Sequence, residues 1–266
     1  MAKPEVTTLD LEDISKLIPQ RPHAHVQLPS KGLYYDQTVV KDGVVELVPL
    51  SAREEKLIAG MRGNAVDEVI DTVLKRCLLT KIDPDDLLLS DRFYLLLVLR
   101  ANSYGDAYNV SLECPYCGTS AKYVARIPKE LTINYADPNN NFVIELPTSK
   151  LLVKYRYLTG KDQKEIKSYV ETRKKQNVFE GDPAYIYTIA KHIVSVNNKT
   201  ANMFTLVNLL EQLPAMDVAY FKDIYEESTP GVLTGITKTC VSCSREIETD
   251  LPITAEFFRP KYSAKK

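Results

Sequence analysis

The sequence predicts an α+β fold of two pseudo-repeated lobes, each made of short β-hairpins and helices and joined by a four-cysteine, zinc-ribbon-like site. Two observations support this prediction. Two Cys-x-x-Cys pairs each lie between segments rich in β-forming residues. The elements predicted before each pair also follow the same order along the chain. A mixture of strands and helices in this arrangement is typical of an α+β protein.

Composition places the chain among ordinary globular proteins. It has 266 residues, 44% apolar and 26% charged, with a formal net charge of -1. This balance argues against a disordered chain and against general nucleic-acid binding as the main function. The longest apolar run, Phe93–Leu99, is far shorter than the roughly 20 residues that a bilayer crossing needs. The N-terminus lacks an apolar stretch typical of a signal peptide, so we expect a soluble protein that stays in the cytosol.

Four segments are predicted. Residues 1–27 form an irregular N-terminal arm with one short amphipathic stretch, Leu9–Ile18. Residues 28–135 form lobe A with the first cysteine pair, and residues 136–252 form lobe B with the second. Residues 253–266 form a C-terminal tail, and its basic end, Lys261–Lys266, is expected to be short and mobile.

Lobe A is predicted to contain a Leu-Pro turn, a strand, a capped helix and two further helices before its cysteine hairpin. Ser51 followed three residues later by Glu54 is a capping box that opens a helix. The spacing of apolar residues predicts the later helices. In order, the turn, the strand and the two later helices are Leu28–Tyr35, Val44–Leu50, Ala65–Cys77 and Arg92–Asn102.

Lobe B repeats this order. Leu146–Lys150 has the same Leu-Pro start as the first turn, and Thr159–Asp162 occupies the place of the earlier cap. The other elements are strands at Phe142–Leu146 and Leu151–Leu158 and helices at Asp162–Lys175, Pro183–Val194, Met203–Leu213 and Asp217–Glu227. The agreement indicates an internal duplication. The alternative is that Leu-Pro-Ser/Thr is a common turn and the agreement is coincidental.

The cysteines indicate a metal site. Cys114 and Cys117 are followed by Gly118, which permits the positive φ of a metal knuckle, whereas the pair Cys240 and Cys243 lacks this glycine. Four thiolates favour one structural zinc ion that clamps distant parts of the chain. The alternative is a site of four reduced thiols without metal. A thioredoxin-like redox motif is disfavoured because neither pair opens a helix after a strand.

Catalytic motifs are absent from the sequence. There is no glycine-rich phosphate loop, HExxH or GxSxG, and none of the three histidines (His23, His25 and His192) accompanies a plausible nucleophile. We therefore expect no enzymatic activity and no small-molecule substrate. Asp91, Arg92, Arg100 and Asp106 flank one predicted helix, and ion pairing at helix ends explains them. The fifth cysteine, Cys77, is predicted to be a buried apolar residue.

Tyrosine is unusually frequent. The chain has 16 tyrosines and no tryptophan, and tyrosine is favoured at protein interfaces. The alternative is that many of these tyrosines complete the edge of the core. Candidate interaction residues lie in the first turn and near the first hairpin: Leu28, Pro29, Lys31, Gly32, Tyr34, Tyr35 and Tyr104. The alternative is that the Leu28–Tyr35 segment is only a tight turn with packed aromatic side chains.

Several segments together carry a family resemblance: Leu28–Tyr35, Pro49–Ile58, Asp91–Asp106 and Cys114–Gly118. They resemble the baseplate protein family of contractile-tailed, T-even-like bacteriophages, whose members are baseplate hub subunits or hub assembly factors. The likeness is specific over residues 28–127 and rests mainly on the second cysteine pair thereafter. It implies a role in the virion or its assembly, without enzymatic activity. It also implies hub, tube or wedge proteins as partners and a tail-baseplate location after assembly in the host cytoplasm.

The residues and the resemblance together predict a zinc-stapled scaffold for protein–protein contacts in the baseplate. One alternative is an assembly chaperone that leaves before the virion matures. The other is a zinc-ribbon adaptor that binds nucleic acid, which needs a basic stripe near the cysteines. Lys122, Lys238 and Arg245 lie there, but they are offset by Glu113, Glu246 and Glu248. No membrane partner is expected.

Overall fold

The computed structural model describes Asp10 and residues 17–60, 66–176, 181–252 and 255–258. Within these residues the chain is a mixed α and β structure with seven α-helices and five small antiparallel sheets. The helices are α1 (Ala52–Ala59), α2 (Val66–Cys77), α3 (Leu89–Tyr104), α4 (Gly160–Gln176), α5 (Pro183–His192), α6 (Met203–Gln212) and α7 (Ala215–Ser228). Most of the predicted stretch Leu9–Ile18, and all of Lys261–Lys266, lie outside the described residues.

Eleven strands belong to the described part of the chain: β1 (Ala24–Gln27), β2 (Val44–Leu47), β3 (Ala107–Glu113), β4 (Ser120–Arg126), β5 (Thr132–Asn134), β6 (Val143–Glu145), β7 (Leu152–Tyr155), β8 (Ile193–Val196), β9 (Gly231–Leu233), β10 (Gly235–Thr239) and β11 (Glu246–Asp250). β1 pairs with β2, β3 with β4 and β10 with β11. β6, β7 and β8 form a three-stranded sheet with β7 in the centre. β5 pairs with β9, which joins the two halves of the chain.

The N-terminal half begins with a strand that was not predicted. The arm expected over residues 1–27 includes Ala24–Gln27, which instead forms β1. Val26 packs inward beside Val45 and Leu47 of β2, and this burial accounts for the strand. The Ser51 capping box is confirmed, since Ser51 Oγ accepts a hydrogen bond from Arg53 N and the Ser51 N–H donates to Glu54 Oε2 at 2.9 Å.

One predicted helix is too long. The helix expected over Pro183–Val194 ends at His192, and β8 follows directly. Ile193 and Ser195 point inward while Val194 points outward, which is the period of a strand. β8 pairs with β7, so cross-strand pairing replaces the last turn of the expected helix.

Two cysteine hairpins pack on a shared apolar core. Val110 and Leu112 of β3 face the same cluster as Ile236 of β10 and Ile247 of β11. The predicted C-terminal tail contributes to this core. Phe257 lies in a short 3-10 turn and is fully buried, with its ring centre 5.1 Å from that of Tyr108. Part of the predicted C-terminal tail is thus packed into the core, whereas its basic end, Lys261–Lys266, for which mobility is expected, lies outside the described residues.

Aromatic side chains fill the core of the C-terminal half. Tyr155, Tyr157 and Phe221 are buried there, and Tyr225 packs against them. Tyr34 of the N-terminal half inserts its ring 5.4 Å from that of Tyr157. Several of the tyrosines that indicated an exposed interface are thus packed inside the chain, where edge-to-face aromatic pairs are favourable.

Further contacts join the halves near the start of α3. The backbone N–H of Leu89 donates to Leu158 O at 3.0 Å, and that of Gly160 donates to Leu87 O at 3.1 Å. Arg92 forms ion pairs with Asp71 and Asp85 beside this junction. Glycine suits this close approach, because a Cβ at Gly160 would collide with the Arg92 guanidinium and lie 2.9 Å from the backbone Cα of Asp85.

Candidate metal centre

The first knuckle follows β3 directly. The N–H of Cys114 donates to Thr119 O at 3.0 Å, and the N–H of Gly118 donates back to Cys114 O at 2.9 Å. Gly118 has φ 70°, a left-handed conformation that favours glycine. The knuckle therefore curls so that the sulfurs of Cys114 and Cys117 face the same side.

The second knuckle has the same hydrogen bonds although its sequence lacks proline and glycine. The N–H of Cys240 donates to Arg245 O at 2.8 Å, and the N–H of Ser244 donates to Cys240 O at 3.0 Å. Ser244 has φ 58° and thus occupies the left-handed position of Gly118. The second pair is accordingly as well formed as the first, at the conformational cost of a non-glycine residue there.

The two knuckles bring their sulfur atoms together crosswise. Cys114 Sγ lies 3.6 Å from Cys243 Sγ, and Cys117 Sγ lies 3.7 Å from Cys240 Sγ. All four sulfurs lie within 4.8 Å of one another, and all four cysteines are free thiols. Zn–S bonds of about 2.3 Å in a tetrahedron place sulfurs about 3.8 Å apart. The donor set and its spacing therefore fit a tetrahedral metal ion.

The local electrostatics favour deprotonated sulfur on two of the ligands. The Thr119 hydroxyl and backbone N–H lower the pKa of Cys117 to about 6. The backbone N–H groups of Cys243 and Ser242 lower the pKa of Cys240. At Cys243 the backbone N–H of Arg245 lowers the pKa, but burial and the neighbouring sulfurs raise it to about 11. Four adjacent thiolates repel one another, so a bound cation is what allows all four to ionise.

The site is half shielded from solvent. Cys114 and Cys240 are buried at the edge of the hairpin core, whereas Cys117 is exposed. The guanidinium of Arg245 lies 5.0 Å from the centre of the Tyr116 ring and bridges the two knuckles on the outside. A closed set of four sulfurs suits a structural metal rather than a catalytic one, which needs an open coordination position.

Comparison with known proteins decides the family. The model of the family described as T4 bacteriophage base plate protein matches residues 22–259, which is most of the chain. The chain belongs to this baseplate protein family. Comparisons with curated proteins and with solved structures gave no significant match.

Family membership supports a role as a phage baseplate component, implies other baseplate proteins as partners and points to the virion tail as the location. The resemblance seen in the sequence is thus confirmed, and it extends well beyond residue 127. Among the described residues of this baseplate protein, no helix has both the length and the apolar character needed to cross a bilayer.

The candidate interaction segment at the first turn of the baseplate protein is largely internal. Leu28, Pro29 and Gly32 are buried, so the structure uses them for packing within the chain. Lys31 is exposed, and its ammonium lies 5.3 Å from the centre of the Tyr135 ring. The burial of these residues supports the tight-turn alternative for Leu28–Tyr35.

The remaining candidate tyrosines also make contacts within the chain. Tyr34 packs edge-on against Phe142 and Tyr157, with ring centres 5.7 and 5.4 Å away. The Tyr35 hydroxyl donates to Asp91 Oδ2 at 2.5 Å. Tyr104, the last residue of α3, is half-buried. None of these residues lies on the metal site.

Histidines and the fifth cysteine of the baseplate protein stand apart from the four sulfurs. His23 Nδ1 pairs with Glu46 Oε1 at 2.6 Å, and His192 Nδ1 lies 3.2 Å from Arg156 O. Cys77 is fully buried as expected, and burial raises the pKa of its thiol to about 11.

Two buried aspartates have roles that the sequence analysis did not predict: Asp91 was expected in an ion pair, and no role was predicted for Asp217. Asp91 is fully buried and accepts hydrogen bonds from Ser30 N and from the Tyr35 hydroxyl, not from a cation as expected. Asp217 accepts from the backbone N–H groups of Thr148 and Ser149 at 2.7 and 2.9 Å. A sequence feature could have indicated these contacts. Each aspartate lies in the first turn of a helix, and each half has a Leu-Pro turn whose backbone N–H groups need hydrogen-bond acceptors.

Arg100 also differs from the expected ion pair. It is buried, and its guanidinium donates to the backbone carbonyls of Gly105, Ala107 and Phe257 at 2.5, 2.9 and 3.3 Å. It therefore ties the end of α3 to the hairpin and to the C-terminal turn.

Proposed function

We propose that this baseplate protein is a non-enzymatic structural or assembly component of the hub region, a scaffold stapled by one structural zinc ion. The observation that carries the proposal is the convergence of Cys117 and Cys240, whose sulfurs are 3.7 Å apart although the residues are 123 positions apart in the sequence. Tetrahedral four-sulfur sites in proteins are typical of structural zinc, and soft thiolates select it over magnesium or calcium.

We also propose that the two halves, 28–135 and 136–252, arose by internal duplication. Helix caps support it: Glu54 accepts from the N–H and the hydroxyl of Ser51, and Asp162 accepts from the same groups of Thr159. In the first half Val48 N donates to Cys77 O at 2.9 Å. At the corresponding place in the second half Arg156 N donates to His192 O at 2.8 Å.

The Leu-Pro turns support the duplication further. Asp91 is the third residue of α3 and Asp217 the third of α7, and each helix precedes the cysteine hairpin of its half. Each aspartate holds the Leu-Pro turn of its own half by backbone N–H groups. If the halves are pseudo-symmetric, the two knuckles are equivalent points that meet across the pseudo-axis, as like surfaces meet in a two-fold dimer.

The absence of enzymatic activity is part of this proposal. The buried charged residues of the described chain are engaged in internal contacts. Asp162, for example, receives two hydrogen bonds of 2.7 Å from the Arg156 guanidinium. That ion pair, with the surrounding hydrogen bonds, holds the pKa of Asp162 well below its usual range, so this carboxylate stays ionised in its structural role.

The role of zinc in the scaffold is local. The halves already meet at the β5–β9 pair and through the backbone bonds between Leu89 and Leu158 and between Gly160 and Leu87. Zinc would therefore fix the two cysteine hairpins against each other rather than act as the single link. Structural zinc contributes on the order of 10 kcal/mol in zinc-finger peptides, so this local effect is large.

The first test measures metal content and assembly in matched variants. We expect one zinc ion per chain in the native protein and in Cys77→Ala, measured by elemental analysis. Cys117→Ser and Cys240→Ser are expected to lose zinc and to fail to complement a phage that lacks this protein. Normal assembly by zinc-free cysteine variants would contradict the scaffold proposal.

The second test separates a subunit from an assembly chaperone. Mass spectrometry of purified virions is expected to detect this chain among the tail proteins. Its presence in assembly intermediates but not in virions would instead favour the chaperone, made and released in the host cytoplasm.

A further inference from the structure

Among the described residues, no strand pairs with the outer edge of β1. Leu28 N donates to Gly43 O at 2.8 Å, beside the last pair of the β1–β2 ladder. In an antiparallel ladder, alternate residues direct their backbone groups to the partner strand. The backbone groups of Val26 therefore face β2, and those of His25 and Gln27 face away from it.

The opposite edge of this sheet is covered. Leu79 N donates to Glu46 O at 2.8 Å, and Val48 N donates to Cys77 O at 2.9 Å. Glu46 N also donates to Thr80 Oγ1. Along the outer edge of β1, by contrast, the described residues supply no backbone partner to His25 or Gln27.

The corresponding edge in the C-terminal half is protected. There β6 is the edge strand, and the N–H of Val143 donates to Asn141 Oδ1 at 3.1 Å. β6 also carries the charged Glu145. Proteins guard free edges with charges, proline or side-chain caps, yet β1 (AHVQ) has no Lys, Asp, Glu or Pro. The edge strand of the C-terminal half is therefore protected, whereas β1, at the corresponding place in the N-terminal half, is not.

The open edge faces a groove of about 570 Å³. One wall is β1 and the other is α3, through Tyr94, Val98 and Ala101. Ile127 and Lys129 also line the groove. A groove between an edge strand and a helix accommodates an added strand, which gains affinity from backbone hydrogen bonds and specificity from alternate side chains.

We propose that an extended segment of a neighbouring baseplate protein binds in this groove as a third strand beside β1. The backbone of this segment forms hydrogen bonds with the backbone groups of His25 and Gln27. Apolar side chains at every second residue of the segment contact Val98 and Tyr94. This inference rests on the proposed scaffold function and gives that scaffold a defined docking site.

A single extended segment fits better than a second copy of this chain. The groove is bounded by α3, so an incoming strand must arrive without a helix at its side. The β1 of a second copy has its own α3 along the same edge, and the two helices would compete for one space.

A proline substitution tests the edge directly. His25→Pro removes an outward N–H and no β1–β2 hydrogen bond, and proline is tolerated on edge strands. His25→Ala is the matched control because it keeps the N–H. In phage complementation we expect a tenfold or greater loss of infectious particles for His25→Pro and less than a twofold change for His25→Ala. Thermal unfolding of both proteins checks that they are folded. Equal particle yields from the two variants would overturn the proposal.

Hydrogen exchange gives the second readout on the full-length protein. The amides of His25 and Gln27 are expected to exchange rapidly in the free protein and to become protected in complexes purified from infected cells. Protection in the free protein, protection that rises with its concentration, or rapid exchange in the complexes would each overturn the proposal. Failure of the scaffold proposal is distinct, since it appears as normal assembly of the zinc-free cysteine variants.

Discussion

The hydroxyl of Tyr35 and the carboxylate of Asp91 form a partly buried hydrogen bond of 2.5 Å that fastens the first Leu-Pro turn to α3. The same hydroxyl accepts from Leu88 N at 2.8 Å. We predict that Tyr35→Phe lowers the free energy of unfolding by about 1–3 kcal/mol, because it leaves both partners without this bond. Urea unfolding monitored by circular dichroism measures it.

The neighbouring residue supplies the control. The buried Tyr34 hydroxyl has no hydrogen-bond partner among the described residues. Tyr34→Phe is therefore expected to leave the free energy of unfolding unchanged or to raise it. Equal losses of stability in the two variants would show that the Tyr35 hydrogen bonds are not the source of the effect.

The conformation of the knuckles gives a second prediction. Gly118 has φ 70°, and a Cβ there would meet no atom within 4 Å, so only backbone strain opposes substitution. Gly118→Ala is expected to lower the free energy of unfolding by about 1–2 kcal/mol. Gly235→Ala is the control, since a Cβ there also meets open space and no left-handed φ is required.

Ser244 tests the same strain in the opposite direction. Because Ser244 has φ 58°, Ser244→Gly relieves the strain of a non-glycine residue. Chemical denaturation is expected to give a free energy of unfolding equal to or above that of the native protein. A clear loss in Ser244→Gly would mean that the serine side chain, and not the backbone, stabilises the second knuckle.

The clustering of the four cysteines was predictable from sequence because its signal is local. Cysteine spacing and flanking β-forming residues fix each knuckle within a few residues, and a tetrahedral ion then requires the pairs to meet. The helix cap at Ser51 was predictable for the same reason, since Ser51 and Glu54 are three residues apart.

Features that depend on distant contacts were not predictable. β5 and β9 have three residues each and exist because Ile133 pairs with Val232, far along the chain. The burial of Phe257 depends on Tyr108 and Arg100, which the local sequence of a C-terminal segment does not reveal. For the tyrosines the sequence leaves two interpretations open, because composition favours both interfaces and aromatic cores and only tertiary packing distinguishes them.

Acid stability provides a third prediction. His192 is buried with its ring centre 3.9 Å from that of Tyr225, and burial lowers the pKa of His192 to about 4 from 6.5. Between these values the unfolded chain binds a proton that the folded chain does not, so stability falls as the pH drops from 6.5 to 4. The expected loss from this group is about 3 kcal/mol.

Denaturation midpoints between pH 7 and pH 4 measure this loss. His192→Gln is expected to flatten the dependence of stability on pH in that window, whatever its stability at pH 7. The exposed His25 is the control, and His25→Gln should keep the native slope. An unchanged slope in His192→Gln would assign the acid sensitivity to other groups.

Removal of the metal gives the last prediction, and it follows from the division of contacts between the halves. The cysteine hairpins meet at the four sulfurs and over a small core, whereas the junction near α3 has backbone hydrogen bonds of its own. Chelation of the proposed zinc ion should therefore raise amide exchange in the hairpins, for example at Leu112 and Ile247. The amides of Leu89 and Gly160 should stay protected, because their acceptors Leu158 O and Leu87 O do not depend on the metal. Restored zinc should reverse the change, and Cys77→Ala should respond as the native protein does. Uniform loss of protection would mean that the ion holds the whole fold, and no change at all would mean that the four sulfurs need no ion.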